Sequence, residues 1–319
     1  MKLKLQKWNL EHLKIHLQAA VDLEFWTIPF YMSVMYSIKD KTSDSYQLIR
    51  TVVNQEMLHL QSAANIANAY GLSPTIDAPI YEGTTIPHLD FSLDDPDKIK
   101  PYLPYTAEIG PLDLKHINAM CLVEIPDYET HENVQLHSNI EEYGSIGAFY
   151  EALRLGASLL KHHIKGGIKQ VNFFSAFYRN VPNMIITESK DNGFNQVDLL
   201  INLITDQGEG QSKIDESIPK TFQNTADDTS PEDDHFNKFN QIKDNPPLPE
   251  TFRVKPVSKY TKKDKELEII LLEQFVELRA ALQGLFNGEN PDNFFAIMAS
   301  VGGAIRNCWK NGVTPKYSK

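Results

Sequence analysis

Residues 9–38 place Leu10, Leu13, Leu17, Val21, Glu24, Ile28, Tyr31 and Met35 at three- and four-residue steps, which predicts one long amphipathic helix. One position on that apolar face is a carboxylate, Glu24. Pro29 lacks a ladder N–H and crowds the Phe25 carbonyl, so a kink is expected just after Glu24. A second helix is expected over residues 43–70, with Ser43 or Ser45 as its cap and Gly71 and Pro74 beyond its end. Its inner face carries Ile49, Val52 or Val53, Glu56, His59 or Leu60, Ala63, and Ile66 or Ala67. Residues 145–164 repeat the pattern with Ile146, Phe149, Tyr150, Leu153, Ala157, Leu160 and Ile164, and Gly166 and Gly167 stop it. A fourth core helix runs from residue 195 to about 208–209, with Val197, Leu200, Ile201 and Ile204 inside.

Between these helices the period dissolves. Residues 72–110 are punctuated by Pro74, Pro79, Gly83, Pro87, Pro96, Pro101, Pro104 and Gly110, so they form a long crossing connection suited to cover a site. A short helix is expected over 112–122, with Pro111 opening its first turn. A polar insertion follows at 210–231, then a helical piece at 231–242 carrying His235 and Phe239. Pro246, Pro247 and Pro249 close that part, and two last helices are expected over 264–286 and 291–309. The pattern predicts an all-α fold: a four-helix bundle with long connections over residues 1–250, and a C-terminal helical extension, 251–319, packed on it.

Composition narrows the function classes. The chain has 319 residues, 41 % hydrophobic and 23 % charged, which is ample for a real core. A net charge of −11 argues against a nucleic-acid partner. Part of that acidity is local, at Asp227, Asp228, Glu232, Asp233 and Asp234, and is expected to be a solvated loop. The two cysteines, Cys121 and Cys308, lack metal or redox spacing and suit a reducing compartment. Residues 1–7 are basic, but Glu11, His12, Lys14, His16, Asp22 and Glu24 break any signal-peptide core. No apolar run approaches about 18 residues, so no membrane span is expected and the cytoplasm is the default location.

The chemistry lies in ionisable residues on apolar helix faces. Glu56 and His59 stand three apart, and a three-residue helical step turns about 300°, so both side chains point the same way. Bundles that hold two metal ions use a Glu from one helix and Glu-x-x-His from the next, then repeat the set. The first half here is Glu24, Glu56 and His59. For the second half the sequence offers Glu151 on the third helix and Glu209 at the end of the fourth. Position 212 is Ser, so His235 is the candidate for the second histidine, with Asp206 a reserve carboxylate. Carboxylates on apolar faces cost several kcal/mol unless something compensates them. Trp26, Tyr31 and Tyr150 lie within a turn or two of these residues and suit either a pocket wall or plain core.

Five stretches carry a resemblance: Leu23-Glu24-Phe25-Trp26-Thr27-Ile28-Pro29, Gln55-Glu56-Met57-Leu58-His59, Ile146-Gly147-Ala148-Phe149-Tyr150-Glu151, Gln207-Gly208-Glu209-Gly210 and His235-Phe236-Asn237-Lys238-Phe239. Together they resemble the ferritin-like domain of the iminophenyl-pyruvate dimer synthase family, of the violacein and rebeccamycin pathway type. Gln55 stands where that pattern has Glu, and Lys238 where it has Arg. The resemblance implies a ferritin-like fold, a bound pair of iron ions (or manganese), and oxidative chemistry on a small amino-acid-derived molecule in natural-product biosynthesis. The expectation is therefore an O2-dependent di-iron oxidase or oxygenase with Glu24, Glu56, His59, Glu151, Glu209 and His235 as metal ligands. Its partners are a small-molecule substrate and, for assembly, a homodimer. The alternatives are an iron-binding ferritin relative without catalysis, and a helical scaffold with a degenerate site. Storage chains of roughly half this length argue against the former.

Overall fold

The computed structural model describes residues 7–93, 96–126, 136–138, 143–174, 178, 183–208, 230 and 233–318. Within them the chain forms helices and no strand, only three isolated bridges. In order these are α1 (Leu10–Ser37), α2 (Asp44–Ala69), the single turn α3 (Pro96–Ile99), α4 (Leu114–Val123), α5 (Ile146–Leu159), α6 (Lys190–Gly208), α7 (His235–Asp244), α8 (Lys262–Phe286) and α9 (Phe294–Lys310).

Helices α1, α2, α6 and α5 pack in a ring, each against two of the others, and make the four-helix bundle that the periodicity predicts. Their ends follow local chemistry. The Asn9 side chain accepts from His12 N while His12 Nδ1 accepts from Asn9 N, a reciprocal cap. Ser43 caps α2 by accepting from Tyr46 N. Helix α4 starts three residues after Pro111, because the Asp113 carboxylate accepts from both Lys115 N and His116 N and so sets the first turn there. Helix α6 begins five residues before the expected start at 195. It runs through Gly193, where a Cβ would lie 2.6 Å from the Glu188 carbonyl and 2.7 Å from Ile164, so only glycine permits that approach.

Helix α1 runs unbroken through Pro29. The region is buttressed from the C-terminus. Ser33 Oγ donates to the Pro29 carbonyl, the Tyr317 hydroxyl lies 2.6 Å from Ser33 Oγ, and Trp309 Nε1 donates to the Ser33 carbonyl at 2.9 Å. Arg306 of α9 donates to the carbonyls of Tyr36, Ile38 and Lys39, the last turn of α1 and just beyond. The α8–α9 hairpin is thereby fastened to the bundle along α1.

Two long connections are held by side chains. Trp26 Nε1 donates to the Ile80 carbonyl and Tyr81 donates back to the Trp26 carbonyl, so the long connection after α2 is tied to α1 at Ile80 and Tyr81. The segment after α5 is secured by amides of α2: Asn65 Nδ2 donates to the carbonyls of Val171 and Met184, its Oδ1 accepts from Val171 N, and Gln61 Oε1 accepts from Phe173 N and Phe174 N. Buried backbone groups outside helices need such partners. Helices α4 and α7 pack together, and α7 also lies on α2 and α6, which brings one end of each to the middle of the bundle.

Candidate metal centre

Five ionisable side chains converge where these elements meet: Glu24 from mid-α1, Glu56 and His59 from mid-α2, Glu124 at the C-terminal end of α4, and His235 at the first turn of α7. All are buried, none more than 4 % exposed. Donor atoms of Glu56, His59 and His235 lie within 4.8 Å of one another. His59 Nδ1 stands 3.7 Å from Glu24 Oε2 and 3.8 Å from Glu56 Oε1. His235 Nδ1 stands 2.9 Å from Glu56 Oε1 and 3.3 Å from Glu124 Oε2.

The arrangement is a duplicated one. In one half, Glu24 Oε1 accepts from the Tyr150 hydroxyl and Oε2 faces His59, whose Nε2 lies 2.9 Å from Gln207 Oε1. In the other, Glu124 Oε1 accepts from the Tyr31 hydroxyl at 2.5 Å and Oε2 faces His235, whose Nε2 lies 3.1 Å from Gln55 Oε1. Glu56 lies between the halves. Its Oε2 accepts from Thr27 Oγ1 at 2.6 Å and its Oε1 faces both histidines.

The electrostatics are those of an anionic, dry cluster. Burial, and next the Glu56 charge, push the Glu24 carboxyl well above the usual range, against the pull of the Tyr150 hydrogen bond. Burial holds His59 down at about 4 although Glu56 favours its charged form. Burial alone would lower His235 as well, but the Glu124 and Glu56 carboxylates outweigh it and hold that ring up at about 9. Burial and then the Glu124 charge raise the Tyr31 phenol far above its usual range, so it serves as a hydrogen-bond donor.

That geometry suits metal ions. Two donor atoms each about 2.1 Å from one ion stand about 3 Å apart at right angles and about 3.5 Å apart in a tetrahedron. The separations of 2.9, 3.3, 3.7 and 3.8 Å fall in and just above that range. The 3.7 and 3.8 Å gaps are too long for hydrogen bonds, so His59 Nδ1 faces two carboxylate oxygens without a hydrogen bond to either. Carboxylate with imidazole, and no thiolate, suits iron, manganese or zinc.

Four of the residues expected from the sequence lie in this cluster, and Glu151 does not. Glu24, Glu56, His59 and His235 are brought together. Glu151 is not the α5 residue that turns to Glu24: Tyr150 is, and successive helical residues point about 100° apart. Glu151 has a side chain 21 % exposed and accepts from Arg154 Nε at 3.2 Å, and Arg154 also pairs with Asp198 of α6. Glu209 lies outside the described residues. Asp206 is half-buried on α6, while the next residue, Gln207, reaches His59. Glu124 was missed. The signal was there: a Glu directly after the apolar run Ala119–Val123, at a helix C-terminus where the dipole disfavours an anion.

The fold and cluster define a class: a helical bundle with a buried carboxylate–imidazole centre. The profile of the ferritin-like family matches residues 17–244, from α1 to the end of α7, and so spans every residue of the cluster. The crystal structure of a ferritin-like protein from Caulobacter vibrioides is similar at 42 % identity and a TM-score of 0.84, over 98 % of this chain and 99 % of that one. No curated protein matches. The chain belongs to the ferritin-like family.

Proposed function

We propose that the chain is a non-haem di-iron oxidoreductase that uses O2 on a small amino-acid-derived metabolite. The observation that carries this is the cluster itself: three carboxylates and two imidazoles, 4 % exposed or less, whose Nδ1 atoms face carboxylate oxygens. Burying so much negative charge costs several kcal/mol per uncompensated group, and a pair of divalent cations removes that cost. Glu24 and His59 would hold one ion and Glu124 and His235 the other, with Glu56 shared. Glu209 stays in the proposed set as the residue after Gly208, where an added Cβ would lie 3.4 Å from Glu124 Oε2. Glu124 takes the place expected for Glu151. An iron pair there would supply electrons to O2 and oxidising equivalents to a substrate.

The chain's own residues do the rest. Thr27 and the phenols of Tyr31 and Tyr150 each tie down one oxygen of a carboxylate and leave the other facing inward. Phe30 and Phe239, both fully buried, pack against the Tyr31 ring and hold it in place. The amino-acid-derived substrate and a place in natural-product biosynthesis follow from the resemblance to the iminophenyl-pyruvate dimer synthase domain. The test is O2 consumption by Fe(II)-loaded full-length protein with a panel of amino acids and their 2-oxo and 2-imino acids. Uptake above the substrate-free background, lost in Glu56→Ala, supports the proposal. Stable iron without substrate-dependent uptake would identify a binding relative instead, and no iron at all a helical scaffold.

A further inference from the structure

Each histidine of the cluster uses its two nitrogens differently. Nδ1 faces carboxylates, and Nε2 faces the side-chain oxygen of a glutamine: Gln207 at 2.9 Å from His59, Gln55 at 3.1 Å from His235. The glutamines come from different helices than the rings they touch. Gln207 at the end of α6 holds a ring of α2, and Gln55 of α2 holds a ring of α7. Both are buried, at 7 % and 4 % exposure, so water does not compete for these bonds.

We propose that Gln207 is a positioning residue that keeps the hydrogen of the His59 imidazole on Nε2, so that Nδ1 is the metal-binding atom of that ring. This rests on the metal reading above. An amide oxygen only accepts, so the nitrogen facing it carries the hydrogen. The reverse orientation of Gln207 would aim an amide N–H at Nε2 and move the ring hydrogen to Nδ1. That atom then has no acceptor, because its nearest carboxylate oxygens are 3.7 and 3.8 Å away. Gln207 Nε2 makes no hydrogen bond among the described residues, so His59 supplies the one hydrogen bond seen for this amide. The amide is also neutral. A carboxylate in the same place would fix the same hydrogen but add a further acidic group to a cluster that already holds three carboxyl groups. Partners of this kind orient a ligand ring and commonly change metal affinity about 10–100-fold when removed.

The test is a long-range ¹⁵N–¹H correlation spectrum of full-length protein with ¹⁵N-labelled histidine, metal-free and then with Zn(II), His59 being assigned by a His59→Gln variant. In the metal-free protein His59 is expected as the Nε2–H tautomer, and Zn(II) should shift Nδ1. Gln207→Leu should mix the tautomers and weaken Co(II) binding about 10–100-fold. Gln207→Glu should restore the tautomer. Finding His59 with its hydrogen on Nδ1 in the unaltered protein would overturn the proposal, as would a Gln207→Leu variant with unchanged tautomer and Co(II) affinity. Should Gln207→Leu fail to fold, the unaltered protein alone decides the tautomer. Absence of Zn(II) and Co(II) binding in the unaltered protein would defeat the metal reading and this inference with it. Binding with the wrong tautomer would defeat this inference alone.

Discussion

Replacing Tyr31 by Phe removes one oxygen atom and leaves the ring, which packs edge-on against Phe30 and Phe239. The lost atom donates to Glu124 Oε1 at 2.5 Å, and both side chains are buried, Tyr31 at 0 % and Glu124 at 3 % exposure. Water therefore does not replace the donor. A hydrogen bond to a charged group contributes about 1.5–3 kcal/mol, roughly twice a neutral one. Metal-free Tyr31→Phe should lose about 2 kcal/mol in urea denaturation at pH 7, with an unchanged denaturant slope. The comparison is Tyr70→Phe, which removes a buried hydroxyl donating to a neutral acceptor, the Ala157 carbonyl at 2.7 Å, and should cost about 1 kcal/mol. Freed of its anchor, Glu124 can turn both oxygens, so Co(II) affinity read from visible absorption should fall about 10–100-fold in Tyr31→Phe and stay level in Tyr70→Phe. Equal destabilisation by the two variants, with Co(II) affinity unchanged in both, would refute the role of the phenol as an anchor of a charged ligand.

Three further outcomes follow from the same geometry. Glu124→Gln should lower bound Co(II) by about one equivalent per chain, while Glu151→Gln, altered where the side chain pairs with Arg154, should leave metal content unchanged; metal analysis after desalting distinguishes them. His16 is buried with Nε2 2.6 Å from the Tyr143 hydroxyl, and burial lowers it from 6.5 to about 4. The unfolded chain thus binds the extra proton between those values, so about 3 kcal/mol of stability is complete above pH 6.5 and lost as pH falls toward 4. In His16→Gln the decline of stability between pH 6.5 and 4.5 should be shallower than in the unaltered protein. Asn65→Ala strips three hydrogen bonds from the backbone of Val171 and Met184 and should cost about 3 kcal/mol, with amide exchange accelerated across residues 168–174 and 183–186.

Much of the bundle was legible because its signals are local. Asn9 and Ser43 as caps, and Gly71 with Pro74 as a stop, fix the ends of α1 and α2 to within a residue or so. Glu24, Glu56 and His59 stood out because each interrupts an apolar face on which a charge is costly. His235 was reached by elimination along the chain. The residues around the cluster that the pattern left unmarked share one physical feature: they sit at helix ends. Glu124 is the residue that closes α4, Gln207 sits in the last turn of α6, and His235 opens α7, so no face periodicity marks them. The chemistry of Glu151 favoured it over its neighbour Tyr150, although it was Tyr150 that lay on the apolar face. The amide contacts of Gln61, Asn65 and Asn68 connect residues about a hundred or more positions apart and leave no trace in any window.

The most direct measurement is the metal content of full-length protein after anaerobic Fe(II) loading and removal of loosely held ions, compared with Glu56→Ala. About two equivalents of iron per chain, falling to one or fewer in the variant, is the predicted result. Iron well below one equivalent in the unaltered protein, or content unaffected by the loss of Glu56, would contradict a dinuclear centre at this cluster.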